Sequence, residues 1–259
     1  KGRVMYLDYE TSQGIIEGRL RKLARSLDLG LDDPMVLYYR GTQAMVRDAQ
    51  SIKANILNNH IDHLVIDSAS LAVGGKLEDT EAVGAFFAAL RTIGISSTLI
   101  THVAKNTSRA GATPFGSTYW RNFTRSEWQV IGSQAEGSPQ LSMLVKHTKV
   151  NDEARHNRLG FTFHFGDDTV RVTPSDPDTL PGLEKQAPLR KQIEDAIDAL
   201  EGKATLKAIS VHIGATGATV ETTIRRNPGT FMRVGVDGRA VLYGVKSVQY
   251  GDVRSNVRD

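Results

Sequence analysis

At 259 residues, 40% of them apolar and 24% charged, the chain has room for one large soluble domain and one small one. It contains no cysteine, which excludes disulfides and thiolate metal sites and fits a cytoplasmic protein. No apolar run nears the roughly 18 residues of a membrane span, so no membrane partner is expected; the net charge of +3 permits nucleic acid as a partner without requiring it.

The chain opens Lys1-Gly2-Arg3, with neither an initiator Met nor a signal peptide, and reads as a fragment or a processed chain. Val4 to Tyr9 is apolar and aromatic and predicts a strand, closed by Glu10, with Thr11 or Ser12 able to cap a helix. Ile16, Leu20, Leu23 and Leu27 then fall on one helical face. After the turn signalled by Gly30 and Pro34, a second strand is predicted at Met35–Tyr39 and a helix carrying Met45, Ala49, Ile52 and Ile56. Leu64, Val65 and Ile66 form a short run ending in Asp67, which predicts a strand buried on both faces. Asp79 can cap a third helix with Val83, Phe87, Leu90 and Ile93, and Thr98–Ile100 is a further strand ending in Thr101-His102. This alternation implies right-handed βαβ units and a mainly parallel, twisted sheet flanked by helices.

Residues 103–119 lack any period and form a long loop of the kind that is functional or disordered. Strand signals then follow without helices, near 127–132, 140–147, 159–165 and 169–173, and are expected to extend the sheet with antiparallel strands. Pro174, Pro177, Pro181, Gly182 and Pro188 mark residues 174–188 as a linker. Beyond it, three helical patterns (Leu189, Ile193, Ile197, Leu200; Leu206, Ile209, Ile213; Val220, Ile224) precede two apolar runs flanking Asp237-Gly238, a hairpin signal. That is the plan of a winged helix-turn-helix. The expected organisation is 1–173 α/β core, 174–188 linker, 189–246 winged-helix domain and 247–259 tail.

Three strands end in polar residues: Glu10, Asp67 and Thr101-His102. In one parallel sheet these ends share an edge, where ligands of open α/β folds bind. A water-orienting carboxylate, a carboxylate near a metal and a polar phosphate sensor are the parts a nucleotide hydrolase needs there. Each also has a plainer reading: Glu10 as a helix N-terminal charge, Asp67 as a cap of its loop, His102 as a strand-end histidine bonded to the next loop.

The order Val-Met-Tyr-Leu-Asp-Tyr-Glu-Thr-Ser, His-Leu-Val-Ile-Asp-Ser-Ala-Ser and Leu-Ile-Thr-His-Val-Ala-Lys resembles the RecA-like ATPase core, and within it the RepA-like branch of hexameric replicative helicases. Residues 116–128 and Lys146-His147-Thr148-Lys149-Val150-Asn151 resemble later segments of that branch, so the likeness runs over roughly residues 3–165. It implies ATP as substrate with Mg2+, Glu10 as general base, Asp67 as the Walker B residue acting on the metal, and His102 as γ-phosphate sensor. It further implies Arg125, and less directly Arg121, as an arginine finger reaching a neighbouring subunit's nucleotide. Lys149 or Lys146 would assist across that interface, and Lys105 and Arg109 would sit on a loop facing single-stranded DNA in a hexameric ring. Plainer readings stay open: Arg121 and Arg125 as a solvated face or as cations over Trp120 and Trp128, Lys146 and Lys149 as edge-strand lysines, Lys105 and Arg109 as inert loop charges.

The phosphate-binding loop G-x-x-x-x-G-K-[ST] is absent from this sequence. Gly74-Gly75-Lys76 is followed by Leu77 and sits after the wrong strand, so it reads as a loop; the phosphate loop is expected ahead of Lys1, and the chain as given is expected to bind nucleotide poorly. In the terminal unit, Thr219, Thr222, Thr223, Arg225, Arg226 and Arg239 are candidates for double-stranded DNA, with protein docking as the other use of such a module. The leading expectation is an ATP-hydrolysing DNA helicase of a plasmid, phage or other mobile element. The alternatives are a non-catalytic DNA-binding regulator that oligomerises through a degenerate ATPase fold, and a recombinase-like filament ATPase.

Overall fold

The computed structural model describes residues 2–29, 36–103 and 119–246. The first part runs β1 (Val4–Asp8), α1 (Gln13–Ser26), β2 (Val36–Arg40), α2 (Met45–Asn58), β3 (His63–Asp67), the short α3 (Ala69–Ala72), α4 (Thr80–Ile93) and β4 (Ser96–Ile100). The four strands pair in parallel in the order β2-β1-β3-β4. The register sets Asp8 beside Arg40 and Asp67, and Asp67 beside Ile100, so the carboxyl ends of β1, β3 and β4 share one edge.

The helical spacings act as periodicity requires. Met45, Ala49, Ile52 and Ile56 of α2, with Val83, Phe86, Phe87 and Ile93 of α4, bury their stripes against Met5, Leu7, Leu64 and Ile66. Asp79 caps α4 by accepting from the Glu81 amide at 2.9 Å. On α1, Ile16 is buried, while Leu27, just past the helix end, is exposed; this helix stands over the other sheet face, where the Arg19 charge bears on Tyr6. That face is covered in part only. β3 therefore alternates, with Leu64 and Ile66 buried and Val65 half-buried, instead of being buried on both faces as expected. Gly74 has φ +69°, and a Cβ there would collide with Ala44, so Gly74-Gly75-Lys76 is a structural turn and not a phosphate loop.

The second part holds α5 (Tyr119–Phe123), β5 (Ser126–Ser133), β6 (Gln140–Val150), β7 (Leu159–Phe165) and β8 (Val170–Ser175). These strands form an antiparallel sheet in the order β5-β6-β7-β8. The expectation that they extend the parallel sheet is corrected: among the described residues no ladder joins β4 to β5. Strand periodicity reports which residues alternate, and the partner across the ladder is a tertiary choice. The stretch expected as a linker is also packed down. Leu180 and Leu183 are buried with Leu144, with half-buried Ile131 packed against them, and Lys146 Nζ and Arg158 Nη1 donate to Gln186 at 2.7 and 2.6 Å.

The last part is α6 (Leu189–Ala199), the two-residue β9 (Ala204–Thr205), α7 (Leu206–Ile213), α8 (Gly217–Arg226), β10 (Phe231–Asp237) and β11 (Ala240–Val245). Three helices and an antiparallel sheet ordered β10-β11-β9 enclose their own core of Ile193, Ile197, Ile209, Val220 and Phe231. Thr216 caps α8 through the Thr219 amide at 3.3 Å, and Gly238 turns the hairpin at φ 59°. Among the described residues no helix is long and apolar enough to cross a membrane.

Candidate active site

The β1 strand ends in an acid that the sequence reading passed over. Asp8 is 0% exposed and accepts five hydrogen bonds. Its Oδ1 receives the Glu10 and Thr11 amides, both at 2.9 Å. Its Oδ2 receives Thr11 Oγ1 at 2.8 Å, Tyr38 Oη at 2.9 Å and Arg40 Nη1 at 3.4 Å. Burial pushes this carboxyl up, but the bonds from Thr11, from the Glu10 amide and from Tyr38 outweigh it and hold Asp8 below its ordinary range. Arg40 also donates to the Thr11 carbonyl. The loop following β1 is thus clamped from β2. The Tyr9 ring, inside this loop, lies where a Cβ on Gly41 would stand, so residue 41 has room for glycine alone.

Glu10 leaves this clamp pointing along the carboxyl edge. His102 Nε2 meets Glu10 Oε1 at 3.1 Å, across 92 residues of chain. The Ser68 hydroxyl, which also meets Ser70 Oγ at 2.6 Å, acts on the same carboxylate and with His102 outweighs burial, holding Glu10 below the usual glutamate range. Glu10 is therefore an anion at neutral pH, 30% exposed, and reachable by a ligand. Asp67 ends β3 beside it: the Tyr9 amide donates to the Asp67 carbonyl at 2.6 Å, and Tyr6 Oη donates to the Asp67 carboxylate. The Asp67–Ser68 peptide is cis. Glu10, Asp67 and His102 thus lie along one rim, with His102 largely exposed.

The donors here are hard oxygens, which suits Mg2+, a cation held by one or two carboxylates together with waters and phosphate oxygens. Among the described residues no cluster of three or more His, Cys, Asp or Glu forms a cage able to hold a metal by itself. The Asp67 carboxylate, at the end of β3, is engaged by Tyr6 Oη.

The remaining candidates divide. Arg125 projects from the turn before β5, 82% exposed, paired with the equally free Asp152 at 3.2 Å. Arg121 is turned back toward Glu127, with Nε 3.8 Å from Oε2. Lys149 points inward, donating to the Thr124 carbonyl at 2.6 Å and to the Arg121 carbonyl at the end of α5. Lys146 is engaged by Gln186, and burial, with Arg158 nearby, depresses its pKa. Trp128 stacks on His147 at 4.1 Å, Trp120 packs against Phe86 and Phe87, and among the described residues a cation lies over a ring at Arg91 above Phe123. On α8, Arg225 and Arg226 are exposed, Thr222 is half-buried, Thr219 lies in the first turn, and Thr223 Oγ1 is turned onto the Thr219 carbonyl at 2.9 Å. Arg239 is exposed at the hairpin tip. Lys105 and Arg109 lie outside the described residues.

With this geometry the family comparison falls into place. Residues 1–108 match the family model of the AAA domain. The match supports an ATPase core over these residues, which take in the parallel sheet and its rim; such cores bind nucleotide, usually with Mg2+. A KaiC-like protein from the hyperthermophilic archaeon Pyrococcus horikoshii OT3 aligns at 15% identity over 67% of this chain and 76% of its own, with a TM-score of 0.45. No curated protein matches the chain.

The residues that sequence reasoning missed are Asp8, Ser68, Tyr6 and Arg40. A signal existed for one of them. An Asp at a strand end with Thr three positions on is the composition of a side-chain-to-backbone turn. The other three act through contacts between strands, which no local pattern encodes.

Proposed function

We propose that this chain carries the hydrolytic core of an ATP-driven DNA helicase or translocase of the RepA-like hexameric type, joined to a winged-helix domain that binds double-stranded DNA. The supporting observation is the contact of Glu10 with His102 on the rim that Asp67 also occupies. Glu10, ionised and near a solvent-exposed edge, polarises the attacking water. His102, bonded to it, reports the state of the terminal phosphate to the segment that follows. Asp67 holds Mg2+, which supplies charge neutralisation on phosphate oxygens when bound. Arg125, exposed and weakly paired, reaches the nucleotide of a neighbouring subunit. Single-stranded DNA passes the segment containing Lys105 and Arg109, while Arg225, Arg226 and Arg239, with Thr219 and Thr222, face duplex phosphates. Such a motor works in the cytoplasm, in replication of a plasmid, phage or other mobile element.

The experiment is Glu10→Gln in the natural full-length protein, read by DNA-stimulated ATP hydrolysis and, separately, by nucleotide binding. Loss of a general base lowers turnover by about 10²–10⁴-fold, with binding retained. Unaltered turnover removes Glu10 from the chemistry; a wild-type protein that hydrolyses no nucleotide leaves a non-catalytic DNA-binding regulator as the better reading.

A further inference from the structure

We propose that Asp8 is the positioning residue of this site: its buried carboxylate holds the loop after β1 so that Glu10 meets His102. This rests on the role given to Glu10 above, and it assigns a function to an acid that the hydrolytic reading leaves unused.

The argument is geometric. Glu10 lies two residues beyond the end of β1, outside the ladder, so the sheet does not set its backbone. The Glu10 amide instead bonds to Asp8 Oδ1, as does the Thr11 amide, which fixes both peptide planes that flank the Glu10 side chain. Asp8 in turn cannot rotate. Its second oxygen is occupied by Thr11 Oγ1, Tyr38 Oη and Arg40 Nη1, which approach from the loop and from β2. A single buried anion so ties β2, the end of β1 and the loop into one unit. From its own side Glu10 is faced by Ser68, His102 and Asp8. Of the rim residues, the Asp8 carboxylate bonds to Glu10 alone, through its backbone amide, and so acts on the ligand edge only through Glu10. Displacement of a reacting group by about 1 Å costs on the order of 100-fold in rate, so a clamp of this kind bears on kcat and leaves nucleotide binding alone.

The test uses the natural full-length protein and three variants. Asp8→Asn replaces Oδ2 by an amide nitrogen that turns away Arg40 and can no longer accept from Thr11 or Tyr38. Thr11→Val removes one donor while keeping shape, and covers the case in which Asp8→Asn does not fold. Thr11→Ser restores the hydroxyl. The first readout is the His102 imidazole signal in a ¹H–¹⁵N spectrum, assigned with His102→Asn and referenced to Glu10→Ala, in which the contact is gone. The expected result is that Asp8→Asn and Thr11→Val move the His102 signal toward its Glu10→Ala position, and Thr11→Ser leaves it in place. The second readout is hydrolysis: kcat falls by about 10–100-fold in Asp8→Asn with KM within about threefold. A His102 signal that stays at its wild-type position in either folded variant overturns the proposal, as does a loss of activity carried by KM alone. Should the wild-type protein hydrolyse no nucleotide, the hydrolytic reading fails by itself, and the His102 signal still decides whether Asp8 places Glu10.

Discussion

Arg125 and Lys149 stand in the same stretch of chain and invite the same guess, yet the structure predicts opposite consequences for removing them. Arg125 is 82% exposed and its partner Asp152 72% exposed, so their ion pair is worth at most about 1 kcal/mol and is readily released. Arg125→Ala is therefore expected to change stability by no more than about 1 kcal/mol, under about 4 °C in Tm for a chain of this size. If Arg125 stabilises the transferring phosphoryl group of a neighbouring subunit, the same substitution lowers turnover by about 10³–10⁵-fold. Lys149 donates to two carbonyls at the end of α5 and holds that helix to β6. Losing such charge-assisted bonds costs roughly 2 kcal/mol, or about 4–8 °C in Tm. Lys149→Met is thus a stability variant, with turnover at a permissive temperature reduced far less than in Arg125→Ala. Thermal melts and steady-state hydrolysis on the same preparations separate the two. Turnover of Arg125→Ala within threefold of wild type, or a Tm loss above that of Lys149→Met, refutes the assignment.

Phe86→Ala removes a ring that is 0% exposed and lies 5.4 Å from Phe87 and 5.5 Å from Trp120; a loss of about 3–5 kcal/mol is expected in urea titrations followed by Trp120 fluorescence in a Trp128→Phe background. Asp8 is held below its ordinary pKa of 3.8, so the unfolded chain takes up protons first as pH falls. Its stabilising contribution is complete above that value and is lost as pH drops through it toward the folded-state pKa, so wild-type Tm should fall more steeply than that of Asp8→Asn below about pH 4. Replacing Arg225 and Arg226 by Ala should weaken duplex DNA binding across sequences and reduce the salt slope by about one for each phosphate contact removed; an unchanged slope measured by fluorescence anisotropy would point to protein docking instead.

Much of the architecture is legible in the order of residues, for a physical reason. Periods of 3.6 and 2 report which side of an element is apolar, and Met45–Ala49–Ile52–Ile56 or Ile193–Ile197 declare their buried faces without help from the rest of the chain. Capping is equally local: Asp79, Thr216 and the turn at Asp237-Gly238 act within a few residues of themselves. The strand ends could be ordered along one rim because parallel strands joined by helices leave little choice of direction.

What a side chain meets on arrival is a different matter. Nothing near Lys149 says that its ammonium turns onto α5, nor does anything near Arg125 say that it stays outside. The separation of β5–β8 into a sheet of their own depends on partners far along the chain. Above all, Asp8 looks like one more acid in Val-Met-Tyr-Leu-Asp. It becomes the anchor of Glu10 only when β2 brings Tyr38 and Arg40 within reach and the fold removes the water that would otherwise satisfy it.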